Sequence, residues 1–260
     1  MNKDCFTLIT GASTGIGRAI AREMASRRHN LILHSLPDEN LSGLCKELND
    51  KYKVQVLYFE SDLTAKDGPQ SLFEFVKEKG YRINILVNNA GIGFDGPIEN
   101  YQLKEIDDMI FLNIRALTHI THFFTSELKT HPESYILFIS SFGTYVPAAY
   151  KSIYLASKSY IYYLARALRS EFTGTSLRTC VILPSAVGTN KNTLDRIRRG
   201  GWAGQVSALS PEKVASVGIK GMFRGRKVII PGRFTNLFFF LGQIVPEGII
   251  IRITHRIFSR

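Results

Sequence analysis

Seven short apolar runs punctuate the first 231 residues, and helical patterns fill the spaces between them. The runs are "CFTLIT" (5–10), "LILH" (31–34), "VQVLYF" (54–59), "INILVNN" (83–89), "YILFIS" (135–140), "RTCVIL" (178–183) and "KVIIP" (227–231). After the first run, Ile16, Ala19, Ile20 and Met24 recur at helical spacing, and similar patterns cover 39–51, 67–80, 103–128 and 151–172. Strands alternating with helices build βαβ units and a parallel sheet. The runs lack polar alternation, as strands buried on both faces do. The expectation is an α/β chain: one Rossmann-like, doubly wound parallel sheet of seven strands with helices on both faces. No linker divides residues 1–231. Segment 190–212, rich in Gly, Ser and Arg, reads as an insertion over the end of the sheet that encloses substrate. Residues 232–260 lie beyond this core as an amphipathic helical extension.

The length of 260 residues suits one large α/β domain. Hydrophobic residues at 45% and charged residues at 21% are enough for a sizeable core. Cys5, Cys45 and Cys180 are scattered and odd in number, which suits a reducing compartment and suggests neither a disulfide framework nor a metal site. "MNKDCFTLIT" runs straight into the first strand without a signal peptide, so a cytoplasmic location is expected. The six histidines have no ligand-like spacing and read as surface or cap residues. Asp107 and Asp108 read as acids at a helix start, offsetting its dipole.

The net charge of +11 is uneven: from residue 190 onward thirteen Lys and Arg stand against three Asp and Glu. Such a region implies an anionic partner or a basic surface. No nucleic-acid-binding motif accompanies it, so a nucleic-acid partner is not expected. In the extension, Arg252, Arg256 and Arg260 recur every four residues beside Ile249, Ile250, Ile253 and Ile257. Its apolar stretches fall well short of the ~18 residues of a spanning helix. Residues 234–260 therefore read as two amphipathic helices that cap the substrate pocket or make a subunit contact. The sharper alternative is a peripheral contact with the inner face of a membrane.

"TGASTGIG" (10–17) places Gly11, Gly15 and Gly17 between the first strand and the first helix. Glycines there permit a tight turn and close approach of a pyrophosphate, and the helix that follows offers N–H groups and a positive dipole end. The second dense signal is "YKSIYLASKSYIYY" (150–163). Tyr154 and Lys158 are four apart, so on a helix their side chains meet on one face. By itself the stretch also fits a Tyr-rich amphipathic helix with its lysines in water.

Together these motifs resemble the short-chain dehydrogenase/reductase family, of the Tyr-x-x-x-Lys type, from residue 5 to about 231. "NNAG" (88–91), "SDL" (61–63), "FLNIRAL" with Asn113, and "ISSFGTYVPAAYKSIYLASK" carry the likeness further. Ser141 stands thirteen residues before Tyr154. The resemblance implies an NAD(P)-dependent oxidoreductase that interconverts a carbonyl and a secondary alcohol. It implies Asn113, Ser141, Tyr154 and Lys158 as the catalytic set, with Asn113 holding a helix kink and a water that links Lys158 to solvent. It implies a cofactor site of Gly11, Ser13, Thr14, Gly15, Ile16, Gly17, Ser35, Asp62, Leu63, Asn89, Ala90, Gly91, Tyr154, Lys158, Pro184 and Thr189, with no metal. It also implies a homo-oligomer, dimer or tetramer, and the look of the C-terminal segment suggests an apolar or lipid-like substrate. A cofactor-binding regulator or scaffold on the same fold is the alternative, which the intact catalytic set disfavours.

The chemistry fits. A tyrosine ionises near pH 10, too high for ready acid–base work at neutral pH. A lysine cation about 5 Å away, at an effective dielectric near 20, stabilises tyrosinate by about 3 kcal/mol. Ser141 can then hydrogen-bond the reacting oxygen, while Tyr150, Tyr160, Tyr162 and Tyr163 serve as packing or pocket wall. Ser140 reads as structural. Two departures from the family stand out. Pro184-Ser185 replaces Pro-Gly, which implies a different course for the nicotinamide-side loop. At the end of the second strand, Ser35 and Leu36 replace the family's Asp or Arg. With no acid there, and with the Ser35 hydroxyl able to donate to phosphate, NADP(H) is expected over NAD(H).

Overall fold

All seven apolar runs contain strands in the computed structural model, which describes residues 5–145, 147–188 and 208–232 together with Gly248 and Arg252. They are β1 Cys5–Thr10, β2 Asn30–Ser35, β3 Val56–Glu60, β4 Arg82–Asn88, β5 Ser134–Ile139, β6 Leu177–Ile182 and β7 Val228–Ile229. Every pairing is parallel, in the order β3-β2-β1-β4-β5-β6-β7. The order reverses between β1 and β4. The crevice beyond the carboxyl ends of those two strands is where an open α/β sheet takes its ligand.

Alternate side chains of each strand enter two separate cores. In β5, Tyr135, Leu137 and Ile139 face one side, and Ile136 and Phe138 the other. The first core is closed by α1 (Gly15–Ser26), α2 (Leu41–Tyr52) and α7 (Pro211–Phe223), through Ile20, Met24, Leu44, Leu48 and Ile219. The second is closed by α3 (Gly68–Glu78), α5 (Leu117–Leu128) and α6 (Ser152–Glu171), through Leu72, Ile120, Phe124 and Ile161. Side chains such as Leu8, Ile9, Ile32 and Leu33 are fully buried, each favouring the fold by about 1.5–3 kcal/mol over exposure. The β1–β4 register skips Asn84, since Phe6 pairs with Ile83 and Thr7 with Ile85. That shift puts Ile83 and Leu86 on the α5 side together.

The pattern over 103–128 forms a broken helix: α4 (Leu103–Ile110), a π-helical turn Phe111–Ala116, then α5. The acid at its start is Glu105, whose carboxylate accepts from the Gln102 N–H at 3.0 Å. Asp108 instead pairs with Lys104 at 2.6 Å, one turn further in, so the dipole role expected of Asp107 and Asp108 falls to Glu105. Two histidines correct the surface reading as well. His34 in β2 and His131 before β5 are buried, because the sheet passes both inside. The three cysteines are buried thiols. Burial pushes Cys45 and Cys180 up to about 12.

Among the described residues, no helix is long and apolar enough to cross a membrane. Thr189, most of the 190–212 segment, and the 232–260 extension apart from Gly232, Gly248 and Arg252 lie outside the described residues.

Candidate active site

β1 ends at Thr10 and the chain turns at once toward α1. Gly11 has φ +64° and Gly15 φ +53°, values that favour glycine. A Cβ on Gly11 would stand 2.9 Å from Ala90 Cα. One on Gly17 would collide with the Gly11 carbonyl oxygen and lie 2.5 Å from Asn89 Nδ2. The turn is therefore seated flush on the end of β4. Asn89 ties it down, donating to the Thr10 and Gly11 carbonyls at 2.9 and 2.8 Å. Thr10 Oγ1 accepts from the Asn89 and Ala90 N–H groups at 3.1 Å each and donates to the Val87 carbonyl at 3.3 Å. Thr14 is the N-cap of α1, no side chain caps the helix, and its first turn carries no acid. Ile16 follows in that first turn. A bare backbone cradle at a positive helix end fits a pyrophosphate.

Tyr154 and Lys158 lie on consecutive turns of α6, with Lys158 Nζ 5.8 Å from the Tyr154 ring centre. Lys158 is 5% exposed and donates to the Ile139 carbonyl at 3.2 Å. Burial lowers its pKa to about 8. Gly91 leaves the space for it: a Cβ there would be 3.1 Å from Lys158 Nζ and 3.0 Å from Asn113 Oδ1. Asn113 is fully buried in the π-helical turn, which is the distortion expected around it. Its Oδ1 accepts from Ile92 N–H at 3.0 Å, and its Nδ2 donates to the Ile92 carbonyl at 2.9 Å and to Ser157 Oγ at 3.0 Å. Ser157 in turn donates to the Tyr154 carbonyl at 2.7 Å. One side chain thus connects the β4 loop to the backbone of Tyr154.

Ser141 follows β5, and its Oγ accepts from Gly143 N–H at 3.2 Å. A Cβ on Gly143 would stand 3.6 Å from Ser141 Oγ and 2.7 Å from Leu155 Cδ2, so this turn packs on α6 one residue past Tyr154. Ser140 is structural as expected: it donates to the Lys158 carbonyl at 2.7 Å and lies 3.0 Å from Thr144 Oγ1. Of the remaining tyrosines, Tyr162 is buried, Tyr150 and Tyr160 are half-buried, and Tyr163 is exposed. Tyr162 stacks edge-on against Tyr145 and Tyr163, and Tyr160 lies 2.8 Å from Thr118 Oγ1. The Tyr150 carbonyl accepts from Gly96 N–H at 2.8 Å.

Beside the cradle, Asp62 is exposed, and its Oδ1 accepts from the N–H and hydroxyl of Thr64 at 2.8 and 2.7 Å. Leu63 is buried under it. Ser35 is 2% exposed and donates to the Leu36 carbonyl at 2.9 Å, so the hydroxyl expected to meet phosphate is engaged within the chain. Pro184 accepts from Phe142 N–H at 2.9 Å. Ser185 is not among the residues with positive φ, so this position does not demand glycine.

Several residues at the site had no signal in the sequence. Ser157 and Gly93 are two: a Cβ on Gly93 would stand 2.5 Å from Tyr154 Cδ2, so the loop after β4 lies directly on the tyrosine ring. Glu39 is a third, accepting a hydrogen bond from the buried Ser13 hydroxyl. Each contact joins segments distant in sequence, which is why no local spacing signals it.

Known proteins resemble this chain in sequence and fold. The short chain dehydrogenase family model matches residues 6–198. The chain is 29% identical to the very-long-chain 3-oxoacyl-CoA reductase of Scheffersomyces stipitis over 233 residues, covering 85% of this chain and 65% of that one. It is 31% identical to the inactive hydroxysteroid dehydrogenase-like protein 1 of Homo sapiens over 188 residues, covering 71% of this chain and 56% of that one. Among solved structures, a short-chain dehydrogenase from Sphingobium yanoikuyae in complex with NADPH superposes with a TM-score of 0.80 at 26% identity, covering 94% of each chain. With its parallel seven-stranded sheet, its glycine cradle and its Tyr154–Lys158 pair, this chain belongs to the short-chain dehydrogenase/reductase family of oxidoreductases.

Proposed function

We propose that the protein interconverts a carbonyl and a secondary alcohol on an apolar or lipid-like substrate, with NAD(P)(H) as hydride carrier and Tyr154 as acid/base. The observation that carries this reading is the buried Lys158 beside Tyr154, set against a glycine turn seated on the end of β4. Bound in that cradle, the dinucleotide supplies or accepts the hydride at the substrate carbon. In reduction, Tyr154 gives its hydroxyl proton to the carbonyl oxygen, and Ser141 donates a hydrogen bond to the same oxygen. Lys158, still mostly protonated at neutral pH, stabilises the tyrosinate that remains. Gly11, Ser13, Thr14, Gly15, Ile16 and Gly17 would hold the pyrophosphate. Asp62 and Leu63 would border the adenine, and Asn89, Ala90, Gly91, Pro184 and Thr189 the nicotinamide half.

The very-long-chain acyl substrate named for the Scheffersomyces relative supports an apolar substrate here. A homo-oligomer, and a bilayer contact through residues 234–260, belong to the same reading. The second reading is a cofactor-binding regulator or scaffold, favoured by the word "inactive" in the name of the human relative. The presence of Asn113, Ser141, Tyr154 and Lys158 together weighs against it. Incubating the purified protein with NADH or NADPH and a panel of ketones from short to long chain tests the proposal. Oxidation of the nicotinamide with a long apolar ketone is expected. Dinucleotide binding with no turnover on any ketone or alcohol would favour the regulator.

A further inference from the structure

The loop between β2 and α2 reaches the cradle, and the proposed chemistry leaves it without a role. It runs Leu36-Pro37-Asp38-Glu39-Asn40, and no Lys or Arg occurs between Ser35 and Cys45. Leu36, the first residue past β2, is 49% exposed and offers nothing polar from its side chain. Asp38 and Asn40 take φ +63° and +53°, left-handed bends at two residues that are not glycine. Between these bends, Glu39 reaches back to the Gly-rich turn, where its Oε2 accepts a hydrogen bond from Ser13. The two cations of α1 both lie toward Glu47 of α2. Arg22 holds Glu47 through two bonds of 3.1 and 2.9 Å, and Arg18 lies 3.8 Å from the same carboxylate.

In dinucleotide-binding sheets, an acid about 20 residues beyond the glycine turn accepts from the ribose 2′-hydroxyl, whereas a 2′-phosphate calls for an arginine. The end of β2, where such an acid would be sought, holds Leu36. Glu39 supplies the charge from three residues further on, at the cradle itself. We propose that Glu39 is the cofactor-selecting residue and that it selects NAD(H) against NADP(H). This rests on the reading of the cradle as a dinucleotide site. It reverses the preference drawn from the sequence, which relied on a Ser35 hydroxyl that donates to Leu36 instead. A 2′-phosphate beside Glu39 and Asp38 would meet like charge with no basic residue in the loop to answer it.

Calorimetric binding of NADH and NADPH to the full-length protein is the test. The native protein should bind NADH at least about tenfold more tightly, and added salt should narrow the gap by screening the repulsion. Glu39→Gln, at an exposed position, should weaken NADH binding and tighten NADPH binding until the gap closes. Ser13→Ala removes the hydrogen bond but keeps the charge, and should keep most of the preference. NADPH binding as tight as NADH in the native protein, a gap unchanged by Glu39→Gln, or one lost equally in Ser13→Ala would overturn the assignment. Failure to bind either dinucleotide would overturn the underlying reading of the cradle, a result distinct from binding both alike.

Discussion

Lys158 gives up its water to stand 5.8 Å from the Tyr154 ring, and the Ile139 carbonyl accepts from its ammonium at 3.2 Å. The burial that costs it solvation also keeps its field on the tyrosine from being screened. If Tyr154 is the proton donor, Tyr154→Phe should lower kcat by about 10²-fold or more while leaving the dinucleotide Kd unchanged. Single-turnover kinetics beside binding calorimetry separates the two effects, and a variant keeping most of its turnover would remove Tyr154 from the chemistry. These residues were legible because their relation is local: four positions on one helix fix a shared face. Ser141 enters the proposed set through its fixed distance from Tyr154 along the chain. Glu39 was not, since its contact with Ser13 depends on how the loop past Pro37 bends. Ser157 was not either, because only the packing of the π-helical turn on α6 brings Asn113 to it.

At the scale of elements, the site is a junction of three turns that leave the sheet at its carboxyl edge. The loop after β4 is pinned on both sides. Asn113 holds Ile92 through two hydrogen bonds, and Tyr101 donates to the Phe94 carbonyl at 2.9 Å. Lys151, at the start of α6, lies 3.7 Å from Asp95. Between these ties Gly93 rests on the Tyr154 ring, where even one carbon would intrude. Gly93→Ala should therefore displace the phenol and lower kcat about tenfold to 10²-fold, since small misplacements near reacting groups carry penalties of that size. Dinucleotide affinity should change little. A kcat within twofold of the native value would show that the ring has room to move. Strand and helix positions were readable from the apolar runs, because burial on both faces leaves an unmistakable pattern, whereas the strand order comes from the structure. The break at Phe111–Ala116 was not readable from periodicity, which continues through it. It was expected only through the likeness of "FLNIRAL" to a family motif.

Over the whole molecule, the two-sided core encloses ionisable groups whose burial shapes stability against pH. His34 is buried, and desolvation lowers its pKa to about 4 despite its bonds to Ser61. An unfolded histidine titrates near 6.5, so between about 4 and 6.5 the unfolded chain binds more protons. Stability from this group is thus complete above pH 6.5 and is lost as pH falls toward 4, by about 3 kcal/mol. Lys158 acts in the same sense at higher pH. With a folded pKa of about 8 against about 10.4 unfolded, it favours the fold progressively as pH rises through that window. The thiols of Cys45 and Cys180 oppose it. Both are held protonated to about 12, while unfolded thiols ionise near 8.5, so each disfavours the fold as pH climbs past that value. Each group changes stability by about 1.4 kcal/mol per pH unit in its window, and two thiols outweigh one lysine. Urea unfolding under reducing conditions should therefore place maximal stability between about pH 6.5 and 8.5. Stability should decline above that range, and Cys180→Ala should soften the decline. Lys158→Met should stabilise the protein at pH 7 by about 3 kcal/mol, an advantage that vanishes near pH 10.4. His34→Gln should flatten the acid limb while leaving the alkaline one unchanged. Stability still rising beyond pH 9.5, or an acid limb equally steep in His34→Gln, would mean that groups other than these four set the profile.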